Sequence, residues 1–328
     1  MTIYDIAEEA GVSASTVSRV INNKPGIRLE TRKKIQHLLD KYNYSPSETA
    51  RGLVNQASKI IGVLVADIRD KHHTDGAYVI ERELTKLGYC CIIFNTSTDE
   101  ISKAEYIKIL SRRRVEGAIL IGSSFQTEAV ESAIKKYLST QPVVIANGFL
   151  DLPNVYGILA DEQNGVASCV NLLFRKGHTC PAFVIDSYTP SNALKQLGFE
   201  QTIKSLGYEG KSLIYKTENT LEGAYDITKQ IMEEHPEVDG IIYTVDLIAV
   251  SGVRALTDMG ISIPKQVSLI GIDNSIYAEI CNPKLTSLDN KQLDVSLSAV
   301  RNLISVLKNQ QTTKKMMIFS SIVERETT

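Results

Sequence analysis

Cysteine is scarce in this 328-residue chain, and the five that occur, Cys90, Cys91, Cys169, Cys180 and Cys281, never fall at C-x-x-C spacing. That spacing excludes the common zinc and dithiol motifs, and the expectation is mostly buried, reduced thiols. No apolar run approaches the ~20 residues that a membrane helix needs. The N-terminus has neither a basic stretch nor an apolar one, so no secretory signal is read there and a cytoplasmic location is expected. Excess charge of one sign is also lacking, with Lys+Arg at 36, Asp+Glu at 38 and a formal net charge of −2. A nucleic-acid coat protein would be far more basic, so any DNA binding must rest on one local patch. The signatures GxGxxG at a strand–helix junction, GxxxxGK[ST], GxSxG and HExxH are absent. No catalytic residue, cofactor or metal site is therefore nominated, and an enzyme is not expected.

What is present divides in two. Apolar residues make up 43% of the chain, ample for burial, and the length suits a small domain plus a large one. The first ~45 residues carry only helical patterning. Ile3, Ile6, Ala7 and Ala10 share a face, and Gly11 closes that helix. Ser13 caps a second helix bearing Val17, Val20 and Ile21. After the breakers 22–26, a third helix begins near Leu29 with Ile35, Leu38, Leu39 and Tyr42 on one side. From Ile60 the pattern changes to short apolar runs, at 60–65, 90–95, 117–122, 142–147, 181–186, 212–216, 240–245 and 267–273. Amphipathic helices are read between them, at 163–176, 194–206, 223–235, 249–259 and 292–308. Such alternation predicts parallel strands covered on both faces, in two successive α/β lobes. Ligands of such sheets bind beyond the carboxyl ends of the strands.

The stretch TIYDIAEEAGVSASTVSRVINN has the helix, glycine turn, helix layout of a helix-turn-helix. With YSPSETARGL after it, and RRRVEGAILIG, RKGHTCPAFV, VSLIGIDN, PKLTSLDN and the ending IVERETT further on, the whole chain resembles the LacI/GalR family of bacterial transcriptional regulators. A helix in the major groove presents its first turn to base edges. Arg19 can fork onto guanine O6 and N7, Ser15 can pair with either base type, and Ala14 can touch a thymine methyl. The resemblance implies that Ala14, Ser15 and Arg19 read bases, with Thr16 and Tyr4 nearer to phosphates. The ~8-residue segment 44–53, started by Pro46 and capped by Ser45, is too short to be a stable helix alone. In the family this is the hinge helix, which enters the minor groove. By that likeness Leu53 wedges a base step, Arg51 lies near phosphate and Ala50 permits close approach.

The lobes also resemble bacterial periplasmic sugar-binding proteins, and family effectors are commonly sugars, sugar phosphates or purines. The resemblance nominates His72, His73, Asn147, Lys195, Asn219, Asp246 and Asp273 as effector residues. Carboxylates and amides at strand ends suit vicinal hydroxyls. This chain departs from the family at 69–73, within the stretch VADIRDKHH, where two histidines replace an aromatic pair and Lys71 a proline. Lys195 stands where arginine is usual. Two histidines with Lys71 and Lys195 suggest a cationic rim, a weak preference for an acidic or phosphorylated carbohydrate, and affinity that falls as pH rises through about 6.5. Asp161 and Glu162, which open the second lobe, are read as helix caps.

The expected architecture is an all-α helix-turn-helix DNA-binding domain (1–46), a hinge helix and linker (47–58), and an effector-binding, dimerising core (59–328). Within the core, lobe one takes 59–160 and 291–317, and lobe two takes 161–290 and 318–328. The expected function is a sequence-specific repressor, a homodimer on a pseudo-palindromic operator in double-stranded DNA, allosterically controlled by a carbohydrate between the lobes. Two alternatives stand beside it: control by a phosphoprotein co-effector, and a cytoplasmic sugar-binding protein.

Overall fold

The computed structural model describes residues 1–44, 58–208 and 213–328. These divide into two compact units, Met1–Lys59 and Ile60–Thr328. The segment expected to form the hinge helix, with Ala50, Arg51 and Leu53, lies outside the described residues.

The first unit holds α1 (Ile3–Ala10), α2 (Ala14–Ile21) and α3 (Leu29–Lys41). Thr2 and Asp5 form a capping box at the start of α1, satisfying two amide groups that the helix itself cannot. At its end Gly11 adopts φ 67°, the left-handed conformation that glycine enters without a Cβ clash. Ser13 then caps α2 through the Thr16 amide. Ile6, Ala7, Ala10, Val17, Val20, Ile35, Leu38 and Leu39 close into one small core. The helical spacing in the sequence is what aims these eight side chains inward.

The second unit is built from two six-stranded sheets. The first has the order β11-β5-β4-β3-β1-β2, with β1 (Ile60–Val65), β2 (Cys90–Asn95), β3 (Gly117–Ile121), β4 (Val143–Ala146), β5 (Val155–Ala160) and β11 (Lys315–Ile318). All its pairings are parallel. The second has the order β12-β10-β9-β8-β6-β7, with β6 (Pro181–Ile185), β7 (Leu213–Lys216), β8 (Gly240–Tyr243), β9 (Ser268–Ile272), β10 (Thr286–Asp289) and β12 (Ser321–Val323). It is parallel except where β12 runs against β10. Apolar layers cover both faces of each sheet, which is why the central strands read as unbroken apolar runs.

Helices α4 (Lys71–Lys86), α5 (Glu100–Arg112), α6 (Glu128–Tyr137) and α12 (Gln292–Leu307) pack on the first sheet. On the second lie α7 (Glu162–Arg175), α8 (Pro190–Ser205), α9 (Leu221–Glu234), α10 (Asp246–Asp258) and the short α11 (Ile276–Ile280). The chain therefore passes between the lobes three times, after β5, after β10 and between β11 and β12. Gly198 lets α8 lie against α7: a Cβ there would stand 2.2 Å from the Gln163 carbonyl oxygen. Three of the five cysteines are buried, whereas Cys90 is exposed on the edge strand β2 and Cys91 is half-buried. Among the described residues, no helix is long and apolar enough to cross a membrane.

Candidate functional site

In the small unit, α2 presents the residues nominated for base reading. Ser15 and Arg19 are exposed, Thr16 is half-buried, and Tyr4 on α1 is 73% exposed. Ala14 is half-buried and packs against the core, so its methyl is only partly available. Ser13 ties the first turn together, its hydroxyl lying 2.8 Å from Ser15 Oγ and 2.9 Å from Thr16 Oγ1. Arg19 projects from a face whose opposite side is fixed by Val17 and Val20. Over residues 1–44, Arg19, Lys24, Arg28, Arg32, Lys33, Lys34 and Lys41 outnumber Asp5, Glu8, Glu9, Glu30 and Asp40. Basic residues are thus in modest excess over this segment.

In the large unit, the carboxyl ends of β1, β3 and β4 in one lobe and of β6, β8 and β9 in the other open onto one cavity of about 870 Å³. Its lining includes His72, His73, Asn147, Lys195, Asn219, Asp246 and Asp273. The seven residues nominated from the sequence thus share one space. His72 and His73 lie in the first turn of α4, whose Asp70 cap accepts from the His73 amide. Asp246 is not at a strand end: β8 stops at Tyr243, and Asp246 is the first residue of α10.

Much of the polar chemistry of the cleft is spent inside the protein. One oxygen of Asp246 accepts from Ser287 Oγ at 2.6 Å, and the other from the Ser275 amide and hydroxyl at 2.6 and 2.9 Å. Burial, and then the neighbouring Asp273 charge, push its pKa up to about 7 despite these bonds. Asn147 donates to Glu162 Oε1 at 3.1 Å and accepts from the Ala160 amide at 3.2 Å. Lys195, 4% exposed, donates to the Thr244 carbonyl at 3.2 Å and lies 3.9 Å from Glu162 Oε1. Burial works against its charge, but Glu162, Asp273, Asp186 and Asp70 more than offset this and hold its pKa above the ordinary lysine value.

Asp273 is held differently. Its φ is 104°, a region non-glycine residues rarely adopt. It is pinned there because its own amide donates to the Leu288 carbonyl and the next amide, of Asn274, donates to Ser287 Oγ. Arg325 of the C-terminal IVERETT stretch donates to Asn274 Oδ1 at 2.6 Å and to the Leu285 carbonyl at 2.9 Å. The Asp273 carboxylate oxygen Oδ1 accepts from Asn290 Nδ2 at 3.4 Å and faces His72 of the other lobe, whose Nδ1 lies 3.5 Å away. Burial disfavours charge on both, yet each stabilises the other's ionised form: the His72 pKa lies above 6.5 and that of Asp273 below 3.8. Besides this pair and the Asn147–Glu162 bond, the Ser191 amide donates across the cleft to Ser123 Oγ at 3.1 Å.

These pairings remove the cationic rim expected from the sequence. Arg69 forks onto Asp67 at 2.7 and 3.0 Å, Lys71 is bonded to Asp75, and Lys195 faces Glu162. Asp67, Asp70, Asp75, Glu162, Asp186, Asp246, Asp273 and Asp289 line the same cavity. Carboxylates outnumber cations in this lining, which weighs against the expected anionic preference. Sequence reasoning also passed over Glu162. Asp161 does cap α7, but Glu162, 2% exposed, turns into the cleft. Asp186, Asn192 and Asp70 were missed as well. Their signal was position: Asp186 stands just past the end of β6, Asn192 in the first turn of α8, and Asp70 at the cap of α4. No cluster of three His, Cys, Asp or Glu suited to a metal occurs among the described residues.

Residues 2–47 match the profile of bacterial regulatory proteins, lacI family, and residues 170–328 that of a periplasmic binding protein-like domain. An HTH-type transcriptional regulator of Lachnoclostridium phytofermentans is 29% identical, the alignment covering 100% of this chain and 99% of the relative. Catabolite control protein A of Priestia megaterium is 28% identical over 99% of this chain and 96% of the relative. Among solved structures, the lac repressor dimer bound to operator and the anti-inducer ONPF superposes with a TM-score of 0.91. It is 21% identical and covers 100% of this chain and 98% of that one, a likeness of fold.

Proposed function

Since this chain belongs to the lacI family of bacterial regulatory proteins and is a DNA-binding transcriptional regulator, we propose that it is a repressor released or engaged by a carbohydrate held between the lobes of its core. It acts as a homodimer on a pseudo-palindromic operator, because a two-fold site needs two copies of α2. Arg19 and Ser15 read base edges, with Ala14 beside them, while Thr16 and Tyr4 approach phosphates. The observation that carries the effector reading is the cavity of about 870 Å³ at the facing strand ends. Its size is that of a small-molecule site, and its walls are rich in carboxylate, amide and hydroxyl groups suited to vicinal hydroxyls. The carboxylates of Asp273, Asp186 and Glu162 line this cavity. Lys195 and Asn147 hold these walls in place.

The test is a thermal-shift screen of the full chain against ribose, glucose, cellobiose, their phosphates and acids, and purines. An effector at 100 times its Kd adds about 2.7 kcal/mol of stability, a readily measured rise in melting temperature. A gel-shift assay on selected operator DNA then shows whether the same compound changes affinity. If no compound stabilises the protein, and a phosphorylated carrier protein alters operator binding, the effector is a phosphoprotein and the sugar reading is wrong.

A further inference from the structure

One side chain of lobe one lies against the carboxylate that a hydroxylated ligand needs in lobe two. His72 opens α4, and its Nδ1 reaches to 3.5 Å of Asp273 Oδ1. Asn290 adds a bond to the same oxygen at 3.4 Å. Both side chains are largely enclosed, with 18% and 14% of their surface exposed. The backbone of His72 is held from a third side, where Gln292 donates to its carbonyl oxygen at 3.2 Å.

We propose that His72 is the specificity-determining residue of this cleft: its imidazole is the internal occupant of Asp273, and an effector binds by displacing it, so that protons compete with the effector. This rests on the sugar-cleft reading given above. The ligand class it selects is a neutral polyol whose hydroxyl groups donate to Asp273. An anion would meet Asp273 itself, with Lys195 and Lys71 already committed to Glu162 and Asp75.

The charges that face His72 decide the sign. Asp273 from the end of β9 and Asp70 from the α4 cap favour the imidazolium. Lys195 of α8 and the neighbouring His73, 6.1 Å away between ring centroids, oppose it. Burial opposes it most of all, yet the balance lies above 6.5. The contact is therefore fully present below about 6.5 and is lost as pH rises through the His72 midpoint. A hydroxyl that takes Asp273 strips the imidazolium of its partner, and the proton passes to buffer. Effector binding accordingly releases protons and strengthens with rising pH, the opposite of the trend expected had His72 bound an anion. Asp246, whose pKa burial and the Asp273 charge push up to about 7, is coupled to the same carboxylate, and the His72→Gln variant separates its contribution.

Two measurements on the full chain test this. In the first, histidine resonances are followed by NMR between pH 5 and 9, with His72→Gln assigning the signal. The His72 midpoint is expected above 6.5 and should drop towards or below 6.5 in Asp273→Asn. A wild-type midpoint at or below 6.5, or one that Asp273→Asn leaves unchanged, overturns the proposal. The second is calorimetry with D-ribose at pH 7 in phosphate and in Tris, whose different ionisation heats report proton release. Release is expected in the wild type and absent in His72→Gln. The wild-type affinity should rise by up to tenfold per pH unit between 6.5 and the His72 midpoint, and the variant's should be flat there. Proton uptake, or release that survives in His72→Gln, overturns the proposal. Absence of any ribose heat counts against ribose as effector, while the NMR titration still decides the contact.

Discussion

Replacing Lys195 with methionine strands a group of carboxylates and gives the core its sharpest stability test. The ammonium is 4% exposed and lies 3.9 Å from Glu162 Oε1, with Asp273, Asp186 and Asp70 also acting on it. At that separation, and an effective dielectric constant of about 20, one pair is worth roughly 4 kcal/mol of Coulomb energy. Methionine fills similar volume without charge, so the packing change is small. The loss comes from Glu162, 2% exposed, which keeps its charge without a cation. Breaking a buried pair from one side costs about 3–5 kcal/mol. For a urea dependence of about 3 kcal/mol per molar, the midpoint of the core's transition should fall by about 1–1.7 M. Far-UV circular dichroism provides the signal, since the chain lacks tryptophan. Lys195 is one of the charges that hold the Asp273 pKa below 3.8, so the part of the deficit that comes through Asp273 should be full above about pH 4 and shrink on further acidification. A midpoint shift under about 0.3 M, or a deficit that grows on acidification, would refute the claim that Lys195 is the counter-charge of this cluster.

Arg19→Ala should cost about 1–3 kcal/mol per half-site on the cognate operator and far less on random DNA; equal losses in a competition gel shift would reassign Arg19 to phosphate. Gly198→Ala places a methyl 2.2 Å from the Gln163 carbonyl oxygen, and should destabilise the core by about 1–3 kcal/mol through forced separation of α7 and α8, visible as a lower melting temperature. For Asp246, whose pKa is raised to about 7, the folded state holds a proton that the unfolded state gives up near 3.8, so the wild type loses stability as pH climbs from about 4 to 7. Asp246→Asn should therefore gain in melting temperature relative to wild type across that range and level off above it, and a constant difference would show that Asp246 does not titrate there.

The parts of the fold legible from sequence were those with a strong local or two-sided constraint. Gly11 and Ser13 mark the turn of the small unit because one needs the left-handed backbone and the other supplies an acceptor to bare amides. Strands β1, β3, β4, β6, β8 and β9 are buried on both faces and read as apolar runs. Four strands went unread. Lys315–Ile318 and Ser321–Val323 are short edges that carry exposed side chains. Thr286–Asp289 is polar yet largely buried, because Arg325, Thr327 and Thr328 bond to Thr286 from 39 or more residues away. Val155–Ala160 lacks a clean period, with Tyr156 and Leu159 only partly covered. In the cleft the nominated residues converge, but their partners were invisible: that His72 meets Asp273, or Lys195 meets Glu162, depends on contacts between segments 33 and 201 residues apart in sequence.

The three passages of chain between the lobes also govern the order in which the protein can be made. β11 closes the first sheet beside β5, and β12 closes the second beside β10. Both come from the last fourteen residues, 315–328. Until they leave the ribosome, each lobe has an unpaired strand edge, and the first lobe also waits for α12 while nearly all of the second is synthesised. An open edge is a template for pairing with another nascent chain. A stop codon placed just before Lys315 would remove only a tail by length, yet it would leave both lobes unfinished at once and favour deposition of the product in aggregates.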